Sequence, residues 1–431
     1  MTNADILIIG AGAAGLMAAR TLAHSGKKVI VLEARDRIGG RIHTLGYESA
    51  QQPLELGAEF IHGDLPVTQC LLDEAGIKYK HASAAMYKYE NGTFTTGEPF
   101  AEHWGEMMEK LNDLEQDIPI NDFLLREFGE DKYQHLRDMV RGYVSGYDNA
   151  DPALASSFSL RREWQAEDMG AQYRVEGGYI ALTRFLADDI RQAGGAIDLN
   201  AVAMQIEWRN RQVNVTTGTG ITYSAGQLLI ALPLGVLQAG AVKFDPEIPD
   251  YINAVNAMGF GAVIKVLLEF NEAFWLDEHT EQLAGKSLND MGYLFSSEAI
   301  PTWWTQVPDN TTWLTGWLGG PDAAEKVHTP DEEILMSGLQ SLGRIFKRDP
   351  AQLKQQLKQW HVVNWTADEF AKGSYAYDKV GAGQAREILC QPIQDTLFFA
   401  GEYLYEGTAM GTVEAALTSG LRMAERILKF E

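Results

Sequence analysis

At 431 residues the chain exceeds what a single core usually supports, so two domains are expected. A hydrophobic fraction of 45% with 22% charged residues describes an ordinary globular protein without an apolar run long enough to cross a bilayer, and a formal charge of −23 at pH 7 argues against nucleic acid or an anionic membrane as partner. Cys70 and Cys390 lie far apart, which points to neither a disulfide framework nor a metal cluster and fits a reducing cytoplasm.

The segment ahead of Ile6 carries no basic stretch, so a secretory leader is not expected. Ile6–Ile9 is a short apolar run bounded by glycine and reads as a buried parallel strand. Gly10-Ala11-Gly12-Ala13-Ala14-Gly15 follows at once, and an alanine-rich helix runs on to a cap at Gly26. A second strand over Val29–Leu32 ends on Glu33, eighteen residues past the third glycine, where a carboxylate can accept both hydroxyls of an adenosine ribose. The three glycines act differently. Gly10 permits the tight turn, Gly12 lets backbone approach a pyrophosphate, and Gly15 lets helix and strand pack closely. The helix N-terminus offers N–H groups and the positive end of its dipole to the phosphates.

Ala34 to Arg41 adds a second glycine turn, Gly39-Gly40, flanked by Arg35, Arg37 and Arg41, more phosphate apparatus than a nicotinamide site requires; FAD fits better than NAD, and a solvated arginine loop is the alternative. From here the chain resembles the flavin amine oxidase family, which includes monoamine oxidases, polyamine oxidases and flavin histone demethylases. The resemblance implies cofactor contacts at Ala14, Ala34 and Gly40 besides the glycines and Glu33, with Arg35 and Arg41 on the pyrophosphate.

Leu54 to Gly63 reads as a short strand running into a small-residue turn, and the resemblance lays Gly57, Ala58, Glu59 and Phe60 along the isoalloxazine. His62 is either a surface-loop histidine or the pocket residue that the family match implies. Helical segments follow over 100–114 and 121–144, and Arg161, Trp164 and Asp168 share a helical face read as a packing boundary. Glu176-Gly177-Gly178 opens a helix that ends at Gly194-Gly195. Strands over 202–208, 213–216, 221–223 and 228–232 form a returning meander, so the nucleotide domain is discontinuous; in the family, the backbone at Val202 meets the adenine.

Lys265 stands in the middle of an otherwise apolar strand, 261–268, where an unpaired ammonium is disfavoured and something must compensate. It is either an edge-strand lysine that blocks aggregation or, as the resemblance implies, the lysine that holds a water against flavin N5, satisfied as a neutral amine or through water. Trp303, Trp304, Trp313 and Trp317 cluster next, and core packing is expected of the last two. At Trp365 to Tyr375 the resemblance implies Trp365 beside the flavin and Tyr375 facing the substrate. Ser374 stands where some monoamine oxidases have a flavin-bonded cysteine, so FAD is expected to be non-covalent.

The final match runs through Gly401-Glu402 and Gly411-Thr412-Val413, all implied cofactor contacts. Val413, Ala416, Leu417, Gly420, Leu421, Ala424 and Leu428 recur at helical spacing, so a helix starts at Gly411 or Thr412 with its dipole available to the flavin pyrimidine. Thr412 occupies the second cage-aromatic position of monoamine oxidases, and with His62 and Tyr375 it makes a polyamine-type pocket the closer likeness.

The expected fold is α/β: a Rossmann-like FAD-binding domain (1–80, 195–245 and 385–431) with a discontinuous mixed α+β substrate domain (81–194 and 246–384). The expected activity is oxidation of a primary amine or polyamine, with hydride transfer to flavin N5, an imine hydrolysing to an aldehyde, and O2 reduced to hydrogen peroxide; Lys265, Tyr375 and Trp365 carry it. The alternatives are an L-amino-acid oxidase, with Arg161, Arg162 or Arg174 clamping a carboxylate, and a flavoprotein or redox-neutral isomerase without oxidase turnover. The acidic surplus either steers a cationic substrate or serves solubility alone.

Overall fold

Ile6–Ile9 is the central strand of a five-stranded parallel sheet because both of its faces are covered: Ile6 and Ile8 enter one apolar core, Leu7 and Ile9 another. The computed structural model describes residues 2–46, 53–82, 84–96, 102–166 and 171–429. In spatial order the sheet runs Ala196–Asp198, Val29–Leu32, Ile6–Ile9, Gln227–Ile230, Leu397–Phe399.

Three helices cover one face: Ala13–His24, Ile180–Gln192 and Val413–Lys429. The other face packs on the helices Pro249–Ala257 and Ala382–Leu389 and on a second sheet built from the meander Ala203–Arg209, Gln212–Thr217 and Thr222–Ala225. One strand expectation changes here and one strand is added. The segment at 228 leaves the meander and pairs in parallel with Ile6–Ile9, and Ala196–Asp198, too short to show periodicity, supplies the far edge. The helices Ile180–Gln192 and Pro249–Ala257 contribute Leu182, Leu186, Ala254 and Val255 to the two cores that sandwich this sheet.

The remaining chain builds a seven-stranded mixed sheet and a helical cap. Val263–Phe270 lies between Leu357–Asn364 and Trp313–Gly319, hydrogen-bonded on both sides, so Lys265 is not an edge lysine. Trp303 is fully buried in the core beneath this sheet. The cap comprises Trp104–Asn112, Ile120–Glu127, Gln134–Gly146 and Ser157–Ala166 around Phe123, Phe128 and Val140.

The single helix expected over 121–144 is two. It breaks beside Gly129, where the Arg137 guanidinium donates to the carbonyls of Phe128 and Glu130 and satisfies the helix end. Arg161 donates to the carbonyls of Leu111, Asn112 and Leu114, and Trp164 packs on Trp104 and Tyr143, so both serve packing. Residue 100 and Asp168 lie outside the described residues. No described helix is long and apolar enough to cross a membrane.

Candidate active site

The two glycine turns face each other across the mouth of the central strand. Gly10 has φ +104°, which a side chain would strain, and a Cβ on Gly15 would stand 1.9 Å from the Gly10 carbonyl oxygen, so turn and helix are locked together. A Cβ on Gly12 would meet nothing nearer than the Gly39 oxygen at 4.0 Å, and one on Gly40 only the Gly12 Cα at 3.5 Å. These positions border open space, a cradle that side chains would fill. Glu33, 5% exposed, accepts the Ala11 N–H (2.8 Å) and the Arg35 N–H (2.9 Å) on its two oxygens, which fixes the carboxylate at the rim.

One cavity of about 1640 Å³ runs from this cradle to the seven-stranded sheet and the helical cap, larger than most single-ligand pockets. On its wall lie Gly10, Gly12, Ala14, Glu33, Ala34, Arg35, Gly40, Arg41, Gly57, Ala58, Glu59, Phe60, His62, Val202, Lys265, Trp365, Tyr375, Gly401, Glu402, Gly411, Thr412 and Val413. Gly15 is behind it, in the packing role. Segments from both ends of the chain, the meander and the lysine strand therefore meet at one place. The buried Ser374 hydroxyl, also on the wall, has no hydrogen-bond partner within the protein. The open cradle, the rim carboxylate and this orphaned hydroxyl fit FAD.

The two wall arginines each bring a carboxylate from the far end of the chain. Arg35 pairs bidentately with Asp368 at 2.5 and 3.0 Å, and Arg41 pairs with Glu402 at 2.9 Å while donating to the Ser374 carbonyl. Glu402 also accepts the Ala376 N–H. Arg37 is off the wall, turned onto the Ile38 and Ile42 carbonyls. Trp365 is fixed by its indole N–H on the Leu56 carbonyl (2.9 Å), and a Cβ on Gly57 would crowd that ring at 3.2 Å.

Lys265 is fully buried, and its compensation is an ion pair. Its Nζ donates to Glu59 Oε2 (2.5 Å), the Glu55 carbonyl (2.7 Å) and the Gly57 carbonyl (3.2 Å), so one carboxylate and two backbone acceptors meet its buried end. Glu59 Oε1 accepts from Arg174 and from the Trp304 indole (3.0 Å). Burial alone would raise the Glu59 carboxyl, but Lys265 and Arg174 overcome it and hold it at about 2. Glu55, equally buried, is pushed up to about 7 by desolvation, against hydrogen bonds from the Tyr179 N–H and the Thr44 hydroxyl and the charge of Lys265.

Beyond this node the cavity becomes aromatic and acidic. Tyr375 donates its hydroxyl to the Tyr147 carbonyl, and its ring lies against Gly411, where a Cβ would come within 2.9 Å. Burial raises the Tyr375 phenol well above 10, and the carboxylates of Asp148, Glu163 and Glu402 add to it. His62 sits edge-on to Tyr147 with Gln172 at 3.4 Å from Nδ1, and burial lowers it to about 4 against the charge of Glu59. Trp304 and Trp317 also line the chamber; Trp317, expected in the core, donates to the Gly146 carbonyl at 2.6 Å. Thr412 closes the start of the last helix, accepting the Ala415 N–H and donating to the Ala409 carbonyl.

Three arginines set aside for a carboxylate clamp are off the wall. Arg161 holds a helix end, Arg162 is exposed beside Asp378, and Arg174 is held by Glu59 and the carbonyls of Thr305 and Val307. Sequence reading missed Tyr147, Asp148, Glu163 and the Glu59 partnership with Lys265, none of which carries a local motif.

The chain is 28% identical to polyamine oxidase 2 of Arabidopsis thaliana over 98% of its length and 87% of that protein. It is 26% identical to human lysine-specific histone demethylase 2 over 99% of its length, and it spans about half the length of that relative, 54%. Among solved structures, wild-type putrescine oxidase bound to putrescine matches with a TM-score of 0.80 at 22% identity, covering 99% of both chains. Cyclohexylamine oxidase from Brevibacterium oxydans matches at 0.78 and 22%, again over 99% of both. These two likenesses bear on the fold. Residues 13–428 match the model of the flavin containing amine oxidoreductases, and the chain belongs to that family.

Proposed function

We propose that the protein is an FAD-dependent oxidase of small amines, with a diamine or polyamine as substrate. The observation that carries this reading is the continuity of one cavity from a dinucleotide cradle to a chamber where Tyr375 stands among the carboxylates of Asp148, Glu163 and Glu402. FAD, held non-covalently, would supply the two-electron oxidation of an amine C–N bond to an imine, which water would hydrolyse to an aldehyde, with O2 as the final electron acceptor and hydrogen peroxide as its product. Glycines 10, 12 and 40 and Glu33 would hold its adenosine diphosphate, and Trp365, Gly57 and the last helix its ring.

The protein's own part is positioning and charge. Tyr375, with its phenol held protonated and its hydroxyl fixed on Tyr147, offers a rigid face to the amine. Asp148 and Glu163 complement a second ammonium of a longer substrate. Lys265 orients a water at the ring by yielding its weakest bond, that to the Gly57 carbonyl. The engaged state of Arg161, Arg162 and Arg174 disfavours an amino-acid substrate. Free thiols at Cys70 and Cys390 suit a cytoplasmic location.

A peroxide assay across putrescine, spermidine, spermine, simple monoamines and amino acids tests the reading. Turnover of di- or polyamines is expected; turnover of amino acids alone would replace it with the amino-acid oxidase, and bound flavin without peroxide from any amine would end it. K265M should retain FAD yet slow flavin reduction or re-oxidation at least tenfold; unchanged rates in both half-reactions would remove the lysine from the chemistry.

A further inference from the structure

We infer that Glu59 is a positioning residue for the reaction: it holds the Lys265 ammonium in the cavity wall and balances its charge, with Arg174 and Trp304 fixing the carboxylate in turn. The inference rests on the proposed role of Lys265 and adds a residue that acts only through it.

Lys265 projects from a strand paired on both sides, and its ammonium has two backbone acceptors and one charged one. The carbonyls of Glu55 and Gly57 belong to a backbone that Glu55 itself ties to Tyr179 and Thr44, so they cannot follow the lysine. Glu59 is the adjustable partner and the only carboxylate bonded to Nζ among the described residues. Its other oxygen is held from the opposite side by Arg174, which stacks 4.4 Å over Phe60 and is pinned by the Thr305 and Val307 carbonyls, and by the Trp304 N–H at 3.0 Å. A carboxylate gripped on both oxygens sets the direction of the third lysine bond.

The charge balance follows from the same geometry. The titratable and charged groups around Glu59 are Lys265, Arg174, Glu55, His62 and Tyr293. Glu59 lies between two cations; without its charge, Lys265 on the cavity wall and Arg174 behind it would both stand uncompensated. Uncompensated positive charge favours the electron-rich reduced ring, so loss of Glu59 shifts the midpoint potential of bound flavin upward and frees the ammonium to swing.

The test uses the FAD-loaded enzyme and the variants E59Q, K265M and E59Q/K265M. E59Q should slow the same half-reaction as K265M by about tenfold per bound flavin, with KM changed less than twofold, a more positive flavin potential and a displaced pH profile. The double variant should be no slower than K265M. A merely structural glutamate would lower the melting temperature and leave half-reaction rates, potential and pH profile as in the wild type; that result overturns the inference while K265M remains slow. K265M with unchanged half-reactions would instead sink the parent reading, and the positioning role with it. If E59Q does not fold, E59Q/R174Q removes one charge of each sign and should show the same half-reaction loss; wild-type rates there overturn the proposal.

Discussion

Glu55 and Glu59 sit four residues apart, both buried, and their surroundings push them in opposite directions. Glu59 has two cations on its oxygens and stays ionised, whereas Glu55 has a backbone N–H and a hydroxyl, which do not repay desolvation in full. The upward move of Glu55 from 4.5 to about 7 has a stability consequence. Below pH 4.5 the group is protonated in both states; between 4.5 and 7 the unfolded chain has released a proton that the folded protein retains, so stability falls as pH rises through this window and levels above it. The displacement corresponds to roughly 3 kcal/mol. Melting temperatures measured from pH 5 to 8 should therefore show E55Q gaining on the wild type with rising pH; parallel curves would mean that Glu55 is ionised throughout. Neither behaviour could be read from Leu54-Glu55-Leu56-Gly57-Ala58-Glu59. Glu59's partner Lys265 is 206 residues away, and Arg41 and Glu402 are separated by 361. Burial and partnership, not residue type, decide these charges.

At the scale of elements the last helix is the member that unites the two ends of the chain. Its Gly420 lies so close to the first helix that a Cβ would stand 2.2 Å from the Ala14 carbonyl oxygen, and its buried Glu414 accepts the N–H groups of Val67 and Thr68 at the start of the helix Pro66–Glu74. Neither backbone at the crossing can yield cheaply. G420A should cost about 3 kcal/mol or more and weaken FAD retention, because Ala14 lies on the wall of the cavity proposed to hold it. G383A is the control: that glycine is exposed within Ala382–Leu389 with nothing within 4 Å of its Cβ, so a neutral or slightly stabilising result is expected. Equal melting temperatures for G420A and wild type would show that the crossing relaxes. The parallel strands were legible because a strand buried on both faces is a continuous apolar run, and the dinucleotide turn because its glycines have separate steric roles. The buried face of the last helix was only half legible. Leu417, Gly420 and Ala424 are buried as their spacing implies, but Glu414, Ser419, Met423 and Ile427 are buried too, while Val413 and Leu421 are only partly covered, since three partners surround the helix and a hydrophobic stripe assumes one.

For the whole molecule, an excess of 59 acidic over 36 basic side chains would be solubilising wherever it lay, but part of it lines the cavity. Asp138, Asp148, Glu163 and Glu298 all contribute to its wall, and the two inner ones already raise the Tyr375 phenol. If the substrate is the proposed dication, these carboxylates should draw it toward the chamber from beyond contact distance, and the attraction should fade as added salt shortens the screening length from about 30 Å at 0.01 M to about 8 Å at 0.15 M. The dependence belongs to encounter and not to turnover. kcat/KM for putrescine should accordingly fall about tenfold between 20 and 500 mM salt with kcat nearly constant, and a monoamine of one charge should lose much less. In D148N/E163Q the putrescine curve should flatten toward that of the monoamine, with KM raised at low salt. A salt-independent kcat/KM in the wild type would assign the acidic surplus to solubility and leave Asp148 and Glu163 to act, if at all, only at contact range.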